Sequence, residues 1–143
     1  MPAELKGIDH SVQLTHIWIN AVEARVGRRN KRHAFRLLKA VFHAVRDWLP
    51  INEAADFGAQ LPTYLRGVFY EGWRPATVPV AERSKTAFVR RIEREFHTDP
   101  LDDAEQAIGA VFDVITDRIT VGEIADVRQS LPADLRALWA EAA

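Results

Sequence analysis

Apolar side chains recur every three or four positions along most of the chain, which is the spacing of helices with one buried face. The longest stripe in the first half runs from Ala34 to Leu49 and stops before Pro50. A similar stripe in the second half runs from Ala104 to Ile119. Segments that alternate apolar and polar residues in the manner of a strand are absent. The pattern therefore predicts an all-α protein.

The sequence also matches itself when it is shifted by 70 residues. Ala40-Val41-Phe42 then falls on Ala110-Val111-Phe112, and positions 40–71 give 12 identities in 32 positions. A shared register of this length indicates an internal duplication. We expect a first unit near 11–71, a joint at 72–80 and a second unit near 81–141.

Each unit is predicted to contain four helices. Because a single helical unit of about 60 residues has a thin core, the two units are expected to pack together around a pseudo-two-fold axis as one compact domain over 1–143. Trp48, Trp73 and Trp139 are candidates to fill the contact between them.

The amino-acid composition and net charge exclude several classes of function. The chain has 143 residues, 48% hydrophobic and 27% charged, which is typical of a globular protein. It has no cysteine, so disulfides, thiolate catalysis and cysteine-ligated metals are excluded. A net charge of −1 argues against a nucleic-acid binder. The sequence offers no signal peptide and no membrane span, so a cytoplasmic protein is expected.

Enzyme motifs are also missing. The sequence has no glycine-rich phosphate loop, no nucleophile elbow and no zinc-protease motif, so no catalytic residue and no cofactor is predicted. His43 and Asp47 lie one helical turn apart, as two metal ligands can, but no third ligand is evident and no metal site is predicted.

Several segments are together recognisable as those of one family. They are Thr15–Asn20, Ala40–Asp47, Gln60–Pro62, Leu65–Gly67 and, above all, Tyr70–Pro75. These segments resemble the bacterial family catalogued as Domain of Unknown Function 2267, over roughly 10–141. The resemblance implies a small all-α bacterial protein with a doubled helical unit. It implies no activity and no catalytic residue.

A basic run at 25–39 is the first candidate binding surface. No acidic residue occurs between Glu23 and Asp47. The candidate partner- or anion-binding residues are Arg25, Arg28, Arg29, Lys31, Arg32 and Arg36. Dense positive charge near a helix N-terminus opposes the helix dipole, which favours a bound anion or partner. The alternative is a solvated loop and helix start.

The corresponding part of the second unit is acidic. Asp99, Asp102, Asp103 and Glu105 lie in the region that aligns with the basic run. Residues 1–71 hold 10 basic and 7 acidic groups, or +3, and residues 72–143 hold 9 and 13, or −4. Head-to-tail self-association through the Arg28–Arg32 and Asp99–Glu105 regions is one interpretation. Pairing between the halves of one molecule, or a simple favourable helix start, are the others.

The joint is the second candidate surface, because Tyr70, Glu71, Trp73 and Arg74 occur together only once. Aromatic and charged residues in a loop can form a binding patch. The alternative is that Trp73 fills the seam between the units.

Acidic and arginine positions that recur in both units are given structural roles. Asp56 is predicted to pair with Arg66, and Asp126 with Arg136, so that the third helix of each unit is tied to the fourth. The whole pattern predicts a non-catalytic interaction or regulatory module with an unidentified protein partner. The alternative is a small-ligand or anion-binding protein that uses the basic run or a pocket between the repeats.

Overall fold

The computed structural model describes residues 5–139, which form eight α-helices and no β-strand. The helices are α1 (Leu5–Val26), α2 (Lys31–Trp48), α3 (Ile51–Ala59), α4 (Thr63–Tyr70), α5 (Lys85–Glu93), α6 (Ala104–Arg118), α7 (Val121–Ser130) and α8 (Ala133–Leu138). Single turns of 3₁₀ helix lie at Pro75–Thr77 and Arg94–Phe96. The all-α prediction is confirmed.

Short polar side chains fix where the long helices begin. Asn30 accepts a hydrogen bond from the backbone N–H of His33 at the start of α2, and Asp103 accepts one from Gln106 at the start of α6. Each bond satisfies one of the amide groups that a first helical turn leaves without a partner. Gly27 has a φ of 83° just after α1, the left-handed conformation in which helices commonly stop.

One cluster of buried apolar side chains includes residues from all eight helices. Trp48 of α2 extends this core across the middle of the chain, with its ring centroid 5.5 Å from that of Phe88 in α5. Trp139 instead stacks on Phe112 at 4.2 Å, and its indole N–H donates to Thr116. Of these two tryptophans, Trp48 therefore fills the contact between the halves, whereas Trp139 packs within its own half.

A buried ionic group joins α2, the joint and α5. Arg46, only 3% exposed, donates to the carboxylate of Asp47 and to the carbonyl of Glu71. Arg91 of α5 donates to the same carboxylate at 2.7 Å, and the backbone N–H of Val80 donates to the carbonyl of Asp47. Burial opposes ionisation of Asp47, but the hydrogen bonds from the two arginines outweigh it and lower the pKa.

Candidate functional site

The basic run begins with two arginines that pair with the second half of the same molecule. Arg25 contacts Asp113 at 3.2 Å and Asp117 at 2.8 Å, both on α6. Arg28 contacts Asp99 at 2.9 Å, and this hydrogen bond lowers the pKa of Asp99. All five side chains are partly exposed, so each pair adds little stability but orients the halves relative to each other.

The other cations of the run lie toward solvent. Lys31 bonds to Asn20 and to Glu23 on α1. Arg29, Arg32 and Arg36 are exposed, and the guanidinium of Arg36 lies 5.8 Å from the ring centroid of Phe96. The structure thus divides the predicted site into a structural part, Arg25 and Arg28, a locally paired Lys31, and an exposed part.

The acidic region of the second half is also engaged within the molecule. Besides the Arg28–Asp99 contact, Asp103 caps α6 and Glu105 contacts the Lys85 ammonium group at 3.0 Å. These contacts support the interpretation that the complementary charges pair within one molecule.

A small polar cavity lies between the two halves beside the basic run. It has a volume of about 140 Å³ and is lined by residues that include Arg28, His33, Asp102 and Gln106. Burial, and then the charge of Arg28, lowers the pKa of His33, so this imidazole is neutral at pH 7. Pockets for drug-sized ligands hold about 300–1,000 Å³, so this cavity suits only a few waters or a very small ion.

The joint residues are used mainly for packing. The Tyr70 ring lies between those of Phe69 and Trp73, with centroids 5.1 and 5.2 Å away. Its phenol also covers Gly58 of α3 so closely that a β-carbon at Gly58 would lie 2.5 Å from the Tyr70 hydroxyl oxygen. Trp73 is half-buried, as the packing interpretation expects, although its ring contact with Tyr70 lies within the first half. Of the four candidate residues in the joint, only Glu71 and Arg74 are exposed.

The His43 and Asp47 side chains each form hydrogen bonds with other residues of the protein. His43 Nε2 lies 2.7 Å from the carbonyl oxygen of Val68, which requires the ring nitrogen to carry a proton and donate. Burial lowers the pKa of His43 and keeps the ring neutral. Asp47 is occupied by Arg46 and Arg91, so the two residues do not form a shared pair of metal ligands.

The predicted ion pairs between the third and fourth helices are wrong. Arg66 donates instead to the carbonyls of Gly58 and Leu61, each at 3.0 Å. The last carbonyls of a helix lack intrahelical partners and carry partial negative charge, so they attract the guanidinium. Arg66 does tie α4 to α3, but through backbone oxygens rather than through Asp56.

The Asp126–Arg136 pair fails in the same way. No salt bridge joins these two residues within the part of the chain that the structure describes. Asp126 instead contributes to the repulsion felt by Glu53 and Glu123, so its charge acts at the contact of α3 with α7.

That contact forms a carboxylate cluster that the sequence reasoning missed. Oxygens of Glu53 and Asp56 on α3 and of Glu123 on α7 all lie within 4.8 Å of one another. Glu53 and Glu123 each bury one carboxylate oxygen that has no hydrogen-bond partner among the described residues. The recurrence of these acids was visible in the sequence, but their convergence depends on α3 packing against α7.

Two carboxyl groups of the cluster hold a proton more readily than an isolated glutamate does. Burial, followed by repulsion from Glu53, Asp56 and Asp126, raises the pKa of Glu123 to about 7. Burial and the neighbouring carboxylates raise the pKa of Glu53 as well. A proton on one carboxyl group satisfies the buried oxygen of another, and the same oxygens are the ligands that Mg²⁺ and Ca²⁺ prefer. A proton on Glu123 therefore relieves part of the repulsion among these carboxylates near neutral pH.

A second missed feature is the α1–α4 groove, an apolar depression where α1, α2 and α4 meet. Its main lining residues are Ile8, Val12, Thr15, Ile19, Phe35 and Tyr64. It consists of two adjoining cavities of about 240 and 430 Å³ that share two of these residues.

The side chains at the rim of the α1–α4 groove are unusually exposed for apolar groups. Ile8 is 61% exposed, Val12 46% and Tyr64 53%. The helical spacing of Ile8, Val12, Thr15 and Ile19 was available in the sequence, but the first unit was expected to begin near 11. Because α1 in fact starts at Leu5, its first turns carry an apolar face that reaches beyond the predicted unit.

Comparison with known proteins places the chain in a family without assigning an activity. No curated protein matches it. Within 5–139, no helix combines the length and the apolar character needed to cross a bilayer. A family model described as "Uncharacterized conserved protein (DUF2267)" matches residues 15–138, which is most of the chain. The protein therefore belongs to the DUF2267 family, as its sequence motifs indicate.

Proposed function

We propose that this protein is a non-catalytic interaction module and that the α1–α4 groove is its binding surface. The observation that supports this most directly is the exposed apolar rim of the groove, formed by Ile8, Val12 and Tyr64. Exposed apolar surface of this kind is unfavourable in water and commonly marks the place where a partner docks.

The proposal includes an internal duplication, in which a unit of four helices occurs twice within one domain. The bounds of the helices support it: α2 and α6 end at Trp48 and Arg118, and α3 and α7 begin at Ile51 and Val121. Both pairs of positions differ by the 70 residues of the sequence register. Residues of the second half can therefore be compared with those of the groove position by position.

The positions 70 residues after the groove residues indicate that packing does not require an apolar surface at this place. Three groove positions and their counterparts differ in chemistry: Thr15 and Lys85, Phe35 and Glu105, and Tyr64 and Asp134. The counterparts contact one another, since the Lys85 backbone N–H donates to Asp134 and its ammonium group contacts Glu105, each at 3.0 Å. A polar version of this surface is thus compatible with the same helices, and the apolar version points to a function.

The other proposed surfaces have weaker support. Head-to-tail self-association would have to break the Arg28–Asp99 contact inside each molecule. An anion site in the small cavity near His33 would face Asp102 and Asp103 as well as Arg28. Arg29, Arg32 and Arg36 are exposed and stay candidates for contact with a partner or an anion.

A bacterial origin and a cytoplasmic location belong to the same proposal, as does the expectation that the protein is not an enzyme. Their support lies in the family resemblance, in the lack of cysteine and in the lack of a recognised catalytic motif. Neither nucleic acid nor a membrane is proposed as the partner.

Site-specific photocrosslinking in the cells that make this protein tests the proposal. A photoreactive amino acid is placed at Tyr64 in the groove or, as a control, at Ile17, which is 43% exposed on the same helix as Val12 but does not line the groove. We expect a discrete crosslinked protein from position 64 only, and its loss when Val12→Glu is added. Equal products from both positions, or a product insensitive to Val12→Glu, would contradict the proposal.

A further inference from the structure

The dimensions of the α1–α4 groove suit a helix as its occupant. Its lining runs along α1 from Gly7 to Ile19, a separation of twelve residues that spans about 18 Å at a rise of 1.5 Å per residue. That length accommodates about three turns of a second helix. Phe35 lies toward one end and Tyr64 along the side, so the lining offers separate positions for apolar side chains spaced three or four residues apart.

The charges around the groove have a strong bias. The exposed or partly exposed carboxylates on the three helices that form it are Asp9 and Glu23, and Glu23 is paired with Lys31. Cationic residues are more numerous there; the exposed or partly exposed ones are Lys6, Arg25, Lys31, Arg32, Arg36, Lys39 and Arg66. Lys39 lies at the groove itself, since its ammonium nitrogen is 5.8 Å from the centroid of the Phe35 ring.

We propose that the α1–α4 groove binds an amphipathic helix of a partner protein whose apolar face is flanked by acidic side chains. This inference rests on the proposed function and adds the chemistry of the partner. The apolar lining accepts the apolar face, whereas Lys39 and the excess of cations on these helices attract the carboxylates and disfavour a basic helix.

Designed peptides test the chemistry without knowledge of the natural partner. The probe is a fluorescent helical peptide of about 14 residues with leucine at positions i, i+3, i+4 and i+7 and glutamate on both flanks. Its comparison peptide has lysine in place of glutamate. Fluorescence anisotropy with the full chain should show that the glutamate peptide binds at least about tenfold more tightly, and that added salt reduces the difference.

Two variants test whether the glutamate peptide binds in the α1–α4 groove. Tyr64→Asp introduces the residue type found at the corresponding position of the second half, and Val12→Glu adds a charge at the rim. Each should abolish binding of the glutamate peptide, whereas Ile17→Glu on the same helix should leave it unchanged. Circular dichroism of each variant verifies that its helix content is retained.

The outcomes separate this inference from the function it rests on. Equal binding of the two peptides, or no binding of the glutamate peptide near about 1 mM, would overturn the acidic-helix inference. A groove-specific crosslink in cells would then still support an interaction module with a different partner. If sedimentation shows a dimer that Tyr64→Asp dissolves, a second copy occupies the groove and the inference is wrong.

Discussion

The carboxylate cluster makes a testable prediction about how stability depends on pH. In the unfolded chain Glu123 has an ordinary pKa near 4.5, whereas burial and its neighbours raise the pKa in the folded protein to about 7. The folded protein therefore holds a proton that the unfolded chain releases between these values. Glu123 is most compatible with folding below pH 4.5, and its contribution to stability falls as the pH rises toward 7 and is lost above it.

The substitution Glu123→Gln removes this penalty while it keeps the shape of the side chain. A rise from 4.5 to about 7 corresponds to a ceiling of about 3 kcal/mol, since each pKa unit represents about 1.4 kcal/mol. Glu123 is partly accessible to water, which screens repulsion, so we expect a gain of about 1–2 kcal/mol at pH 8. For a chain of this size that is an increase in Tm of about 3–6 °C.

The assay compares thermal unfolding of the wild type and Glu123→Gln at pH 5 and pH 8. The difference between the two proteins is the informative quantity, because His33 and His43 also affect the pH dependence of the wild type. Glu95→Gln, a substitution of an exposed carboxylate in the second 3₁₀ turn, is the control. A stabilisation that is equal at both pH values, or absent at pH 8, would refute the argument that Glu123 is buried among like charges.

Three further predictions concern contacts described above. Asp47→Asn should destabilise the protein by about 3 kcal/mol in urea unfolding, because the buried Arg46 keeps its charge without a counterion. Arg66→Met should lower stability by about 1–2 kcal/mol in the same assay, because the carbonyls of Gly58 and Leu61 lose the hydrogen bonds from the guanidinium, whereas Asp56→Asn should have almost no destabilising effect. Because burial lowers the pKa of His43, stability should fall as the pH drops below 6.5, and thermal unfolding of His43→Gln should show a smaller decrease.

The sequence was most informative where local chemistry determines the structure. The apolar stripe from Ala34 to Leu49, the proline that follows it and the short polar residues before α6 predict helices that the structure confirms. The basic run was also found as a feature, because charge density can be counted. Its partition between paired Arg25 and exposed Arg32 depends on where α6 lies, which no local pattern encodes.

The candidate sites were harder to predict because they depend on contacts between distant helices. Glu53 and Asp56 could be identified as recurring acids, but their closeness to Glu123 follows from the packing of α3 on α7. The expected pairing of Asp56 with Arg66 relied on opposite charge, while the structure gives Arg66 the carbonyls at the end of a helix. The groove was missed for a simpler reason, since the first turns of α1 lie outside the repeated register.

The buried Arg46–Asp47–Arg91 group has a consequence for how the molecule unfolds. Separating the two halves would expose Trp48 and take Arg91 away from the carboxylate of Asp47, so partial opening at this seam is unfavourable. The two halves of the chain should therefore unfold in one cooperative transition. Native-state hydrogen exchange would then report a common opening free energy for the amides of α2 and α5.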